Sequence, residues 1–288
     1  MYARSLELPC FGQRIRIIRR NPWLYSTVNS MKFTRREFCA LTASSVASLA
    51  LGSACHLPGP RIASDGRLTA RPRTDVKTTG SGQIMLGLDR DRDAVLQLPK
   101  AADQSSLPLL VMLHGAGQSA EDMFWYLGST YEEAGVAILA PNSRDTTWDA
   151  IRDSFGPDVE HLNRALERVF ETTAVDPARL SLGGFSDGAS YAISLGLING
   201  DLFNRIVAFS PGSVIDGTPS GKPRFFISHG THDHILPIDS CGRYIAARLE
   251  FLGYEVIFRE FDGDHEIPAD IAREGLNFAS GKGARIGS

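Results

Sequence analysis

Three residue types that can cooperate in nucleophilic catalysis occur in this chain in a suggestive order: a serine, then an aspartate, then a histidine. Ser186 is the centre of Gly184-Phe185-Ser186-Asp187-Gly188. The run before it, Arg179-Leu180-Ser181-Leu182-Gly183, predicts a buried strand, and Ala189 to Leu195 after it predicts a helix. A serine between two glycines at so tight a turn has its oxygen pushed above the sheet, beside the positive end of the following helix. A hydroxyl is a poor nucleophile until a base accepts its proton, and a histidine held by a carboxylate is the usual base. Asp233, in Ser228-His229-Gly230-Thr231-His232-Asp233, and His265, in Asp262-Gly263-Asp264-His265-Glu266, follow Ser186 in that order. Both fall just past the carboxyl ends of predicted strands, where ligand sites of parallel sheets collect. Asp262, Asp264 and Asp239 are rivals to Asp233 for the acid.

An anionic tetrahedral intermediate at Ser186 would need preformed N–H donors. The backbone N–H of Asp187, directly after the serine, is one. The other is expected from the glycine loop His114-Gly115-Ala116-Gly117-Gln118, with Ala116 favoured and Gly117 the alternative. His114 is expected to hold loop backbone, and His161 to lie on the solvated face of a helix. His229, His232 and His234 bracket Asp233, but one crowded loop resembles neither a zinc-binding helix nor a cysteine knuckle. No metal site is therefore expected. Trp148 and Phe155, in the connection from Pro141 to Pro157, and Trp125 with Tyr126 after the glycine loop, are candidates to line a substrate pocket.

The elements needed to carry these residues are present. Ile84 to Leu86 and Ala94 to Leu98 predict a leading hairpin closed at Asp89 to Asp91. Leu107 to Leu113 is a continuous apolar run, as expected for a strand buried on both faces. Val136 to Ala140, Leu180 to Leu182, Ile206 to Phe209, Phe225 to Ser228 and Val256 to Phe261 continue the strand series. The clearest helix is Val159 to Phe170, with Val159, Leu162, Leu166 and Val169 on one stripe. Strands alternating with helices over residues 81–280 predict an α/β domain with a mostly parallel sheet covered on both faces. Little chain remains for a lid, since the stretch from Pro211 to Pro223 is short and polar.

With Leu113-His114-Gly115-Ala116-Gly117, the Ser186 pentapeptide, His229 to Pro237 and Asp264-His265 in series, the chain resembles the α/β-hydrolase superfamily. The likeness is to its phospholipase/carboxylesterase branch, whose neighbours include acyl-protein thioesterases, dienelactone hydrolases, poly-hydroxyalkanoate depolymerases and feruloyl esterases. The resemblance covers roughly residues 80–280. It implies an α/β-hydrolase fold, a Ser186–Asp233–His265 triad, no cofactor, and hydrolysis of small-molecule carboxylic esters. Asp187 departs from the Gln usual in acyl-protein thioesterases, and Ser186 departs from the Cys typical of dienelactone hydrolases. A peptidase of the prolyl-oligopeptidase type is the alternative within hydrolases; the lack of a propeller domain weighs against it. A non-catalytic, surface-tethered binding protein is the alternative from another class.

The amino-terminal part reads differently. Of 30 basic and 33 acidic residues, residues 1–55 hold eight and two, leaving a remainder of 22 and 31 with a net charge of −9. An acidic domain argues against nucleic-acid binding, which needs clustered positive charge. Met31 to Phe38 contains Arg35-Arg36 before an apolar, small-residue stretch from Cys39 to Leu51. Residues 31–55 thus resemble a twin-arginine export signal, which implies an exported bacterial protein. Residues 1–30 are then expected to be an upstream extension, with Met31 the better start. Cys55 in Ser53-Ala54-Cys55 is a candidate lipidation site and membrane tether. Residues 56–80, rich in Pro, Gly, Arg and Thr, predict a flexible linker, and residues 281–288 a tail. Cys241 is expected to be a small packed residue at a helix start.

Overall fold

The computed structural model describes residues 64–100 and 106–282. The signal-like segment, Cys55 and the start of the expected linker lie outside the described residues.

Eight strands form one sheet in the order β1-β2-β4-β3-β5-β6-β7-β8. They are β1 (Gly82–Met85), β2 (Ala94–Leu98), β3 (Leu107–Leu113), β4 (Ala137–Pro141), β5 (Val175–Phe185), β6 (Arg205–Phe209), β7 (Arg224–Gly230) and β8 (Val256–Phe261). The hairpin β1–β2 and the β2–β4 pair are antiparallel. All pairs from β4 through β3, β5, β6 and β7 to β8 are parallel. Among the described residues there are seven helices: α1 (Ala120–Leu127), α2 (Thr130–Ala134), α3 (Asp149–Arg152), α4 (Pro157–Thr172), α5 (Asp187–Ile198), α6 (Gly242–Phe251) and α7 (Ala269–Ser280).

Alternation along β3 shows how the layers arise. Leu109, Val111 and Leu113 join one core with Leu162, Leu166 and Phe170 of α4, Tyr191 and Leu195 of α5, and Ile245 and Leu249 of α6. Leu110 and Met112 point the other way, into a second core with Met123 and Leu127 of α1 and Ile271 and Leu276 of α7. Because side chains alternate across a strand, a strand buried on both faces must be apolar at every position. That is the run read in the sequence.

Helix α5 starts at the elbow and is buried almost all round. Its outer side is covered by the β6–β7 connection, which carries no helix. Ser190 Oγ accepts the N–H groups of Gly212 and Ser213 at 2.9 and 3.2 Å, and Ser194 Oγ accepts that of Ile215 at 2.9 Å. This connection is thereby fastened to the domain.

Part of the expected linker is packed structure. Leu68 and Ala70 are buried. The Leu68 N–H donates to Asn199 Oδ1 at 2.8 Å, and Asn199 Nδ2 donates to the Gly66 carbonyl at 2.8 Å. Arg67 and Arg71 both pair with Asp201. Composition suggested a free arm, but Pro, Gly and Arg do not report the buried Asn199 side chain that replaces water at the strap's backbone. Replacing Asn199 by Ala removes both partners and leaves buried backbone groups unpaired, each at about 1–3 kcal/mol. Asn199→Ala should lower the free energy of urea unfolding by roughly 3 kcal/mol; a loss under about 0.5 kcal/mol contradicts the packed strap.

Candidate active site

Ser186 joins β5 to α5 with φ 57° and ψ −120°, a strained conformation for a residue with a side chain. Its N–H is held by the Phe209 carbonyl at 2.9 Å. Side chains are excluded on both sides. A Cβ at Gly184 would collide with the Gly188 carbonyl, and one at Gly188 with the carbonyls of Leu113 and His114. The two glycines therefore let the elbow close against the end of β3, and the serine is carried on the crossing point of three segments.

The loops after β7 and β8 meet each other past the carboxyl ends of their strands. The N–H groups of Thr231 and His232 donate to the Phe261 and Gly263 carbonyls, both at 2.9 Å. This pairing brings Asp233 to His265, whose Nδ1 donates to Asp233 Oδ2 at 2.7 Å. The Asp233 side chain is fully buried, and its other oxygen accepts N–H groups of Ile235 at 3.0 Å and Leu236 at 2.7 Å. A proton on Nδ1 leaves the Nε2 lone pair of His265 free. The ring lies against Phe185, centroids 4.8 Å apart, so the residue before Ser186 is a platform for the imidazole.

The rival carboxylates are occupied elsewhere. Asp264 accepts the His265 N–H at 2.8 Å and pairs with His234. Asp262 pairs with His232, and Asp239 with Arg243. His229 is buried; its Nε2 donates to the Leu236 carbonyl at 2.7 Å and lies 3.2 Å from Asp233 Oδ2. It steadies the turn that carries Asp233. Cys241 is the buried residue preceding α6, as expected.

The glycine loop separates the two donor candidates. The Gly117 N–H donates to the Thr146 carbonyl at 2.7 Å and is spent. The N–H groups of Ala116 and Asp187 have no partner among the described residues. Gly115 N–H donates to Gln118 Oε1 at 2.9 Å, and Gln118 Nε2 donates to Tyr126 Oη at 2.9 Å. His114 is buried and holds backbone: Nε2 accepts the Ser143 N–H at 3.0 Å, which leaves Nδ1 to donate to the Gly115 carbonyl at 2.8 Å.

The four aromatic pocket candidates occupy different surroundings. Trp148 is buried, stacks on Tyr191 and donates from Nε1 to the His114 carbonyl at 2.8 Å. It supports the glycine loop from behind. Phe155 is buried against Tyr191 and borders a polar cavity of about 450 Å³ with Arg144, Asp145, Arg152 and Asp153. Trp125 is 78% exposed, on the outer face of α1. Tyr126 packs on Phe185, the residue before Ser186, with ring centroids 5.0 Å apart. Sequence reasoning missed Gln118, Phe185 and Thr147. Thr147 Oγ1 donates to Asp187 Oδ2 at 2.7 Å, a contact between two segments far apart in the chain that no local pattern announces.

His161 is buried, not solvated, with Nε2 3.3 Å from the Arg144 guanidinium. Burial first, then Arg144, pushes it down to about 4. Burial also lowers His114 and His229. Each of these takes up a proton more readily in the unfolded chain, so acidification below about pH 6.5 withdraws stability. Asp158 runs the other way. Burial, with Asp149 adding, raises it to about 6, so the folded chain binds the proton first and gains stability as pH falls from 6 toward 4. Three histidines oppose one carboxyl, and unfolding free energy should fall between pH 7 and 4.5. Asp158→Asn should steepen that fall by roughly 2 kcal/mol; an unchanged slope in urea titrations at the two pH values contradicts this balance.

No family model matches the chain. In sequence it is similar to feruloyl esterase C of Emericella nidulans, 27% identical over 172 residues that cover 56% of this chain and 60% of that protein. Among solved structures, the fluorophosphonate-binding serine hydrolase FphF of Staphylococcus aureus matches with a TM-score of 0.57 at 16% identity, over 70% of this chain and 99% of that one. A Bacillus cereus carboxylesterase matches with a TM-score of 0.54 at 19% identity, over 67% and 96%. The chain spans about half to three-fifths of the length of the curated relatives it matches.

Proposed function

For a chain of the α/β-hydrolase superfamily with this arrangement, we propose a serine carboxylesterase that works through an acyl-enzyme. The observation that carries the reading is the buried Asp233–His265 hydrogen bond, delivered by the β7 and β8 loops to the face where the strained elbow presents Ser186. His265 Nε2 takes the Ser186 proton as Oγ attacks the ester carbonyl. The Ala116 and Asp187 N–H groups receive the developing oxyanion. Collapse expels the alcohol, which takes its proton from His265. Water activated by the same nitrogen then releases the acid and regenerates the serine. Asp233 holds the histidine tautomer and balances the imidazolium.

The fastened β6–β7 connection supports small or soluble esters as substrates, because no segment there is free to open onto a lipid droplet. Similarity to a feruloyl esterase supports including aryl esters among them. Export by the residue 31–55 segment, with a tether at Cys55, belongs to the same proposal and rests on the sequence.

A fluorophosphonate probe should label wild-type protein and not Ser186→Ala. Failure of wild type to be labelled favours the binding-protein alternative. On a p-nitrophenyl ester panel extended to feruloyl esters and to a prolyl peptide substrate, ester turnover should dominate. Asp233→Asn should cut kcat by about 10³–10⁴-fold; retained activity would displace Asp233 from the triad. Activity should fall with acyl chain length, and interfacial activation on long-chain triglyceride would contradict the lidless reading.

A further inference from the structure

We propose that Thr147 is a positioning residue for the reaction at Ser186, its hydroxyl keeping the Asp187 carboxylate away from the oxyanion. The inference rests on the esterase reading and concerns how its donors are held.

An acid directly after the nucleophile is an awkward choice. Asp187 contributes an N–H that would receive negative charge, while its own side chain carries negative charge on the same residue. A like charge a few ångströms from a developing oxyanion opposes it, and most strongly where water is sparse. The side-chain torsion of Asp187 therefore decides whether the residue helps or hinders. Thr147 sets that torsion: its Oγ1 donates to Asp187 Oδ2 at 2.7 Å, and Thr147 is itself only 7% exposed.

The flanking residues show that this is one device. Thr146 holds the Gly117 N–H at 2.7 Å through its carbonyl, and Trp148 holds the His114 carbonyl at 2.8 Å through Nε1. Those two bonds bracket Ala116, the other donor. Three consecutive residues after β4 thus grip the glycine loop on one side and the elbow on the other. The turn is anchored in its own right, because Asp158 accepts the N–H groups of Arg144 at 2.5 Å and Asp149 at 2.7 Å. The two donors come from separate segments, and the 146–148 turn is the piece that ties them in register.

The test compares Thr147→Val, Thr147→Ala and Thr147→Ser, each also combined with Asp187→Asn, using p-nitrophenyl acetate and thermal unfolding. Thr147→Val and Thr147→Ala should lower kcat at least about tenfold with KM within about twofold. Thr147→Ser should restore most of the loss. Adding Asp187→Asn to Thr147→Val or Thr147→Ala should recover a large part of it, because the stray charge is gone. A role confined to packing predicts the opposite pattern: reduced melting temperature, no rescue by Ser, and additive effects of the two substitutions. That pattern, or kcat within twofold of wild type in both hydroxyl-free variants, overturns the proposal while leaving the esterase reading intact. Wild type that neither hydrolyses the ester nor takes the probe overturns both.

Discussion

The backbone at Ser186 is the constraint on which the site depends. A non-glycine residue with φ 57° costs on the order of 1–3 kcal/mol and persists only where its surroundings leave no alternative. Here the Phe209 carbonyl takes its N–H, Gly184 and Gly188 permit the chain to fold on itself, and the end of β3 closes from the far side. The parallel sheet makes this affordable. Its adjacent central strands β3, β5 and β6 supply, in register, the loop that faces the elbow, the elbow, and the carbonyl that pins it.

A second requirement is a carboxylate kept out of water without being left unpaired. Asp233 meets it by spending one oxygen on two backbone N–H groups of its own turn and the other on His265. Burying an ion is tolerable only when its lone pairs are satisfied in this way. The same economy recurs at Asp158 and Asp149, which take the N–H groups of the long β4–α4 connection that helical or strand pairing cannot reach. Polar side chains thus replace secondary structure as the glue of the loops that surround the serine.

Much of this was legible from local pattern. The apolar run at Leu107 to Leu113, the alternation of strands and helices, and the stripe on α4 follow from side-chain periodicity, which short windows of sequence carry in full. Ser186, Asp233 and His265 stand out as candidates because a glycine-flanked turn and the ends of strands are local signals. The aromatic residues misled. Trp148 and Phe155 sit in a long polar connection, where apolar type alone does not say whether a ring faces a cleft or the core. His161 misled for a similar reason: on the charged side of α4 by spacing, it is covered by Arg144, which arrives from another connection. The strap at Leu68 was hidden because its anchor, Asn199, stands more than a hundred residues away.

Residue type and spacing therefore settled the layers, the place of the glycine-flanked serine and the identity of its candidate partners, since each depends on neighbours a few residues apart. Three-dimensional folding alone decided which acid reaches His265, which N–H groups stay free, and which hydroxyl holds the Asp187 carboxylate. Those outcomes rest on contacts between distant loops, His232 with Gly263, Thr147 with Asp187 and Gly117 with Thr146, where hydrogen-bond geometry selects among candidates that are chemically alike. The reason is one of range: periodicity is written in consecutive residues, whereas pairing of buried polar groups is resolved only when distant loops share the same few ångströms.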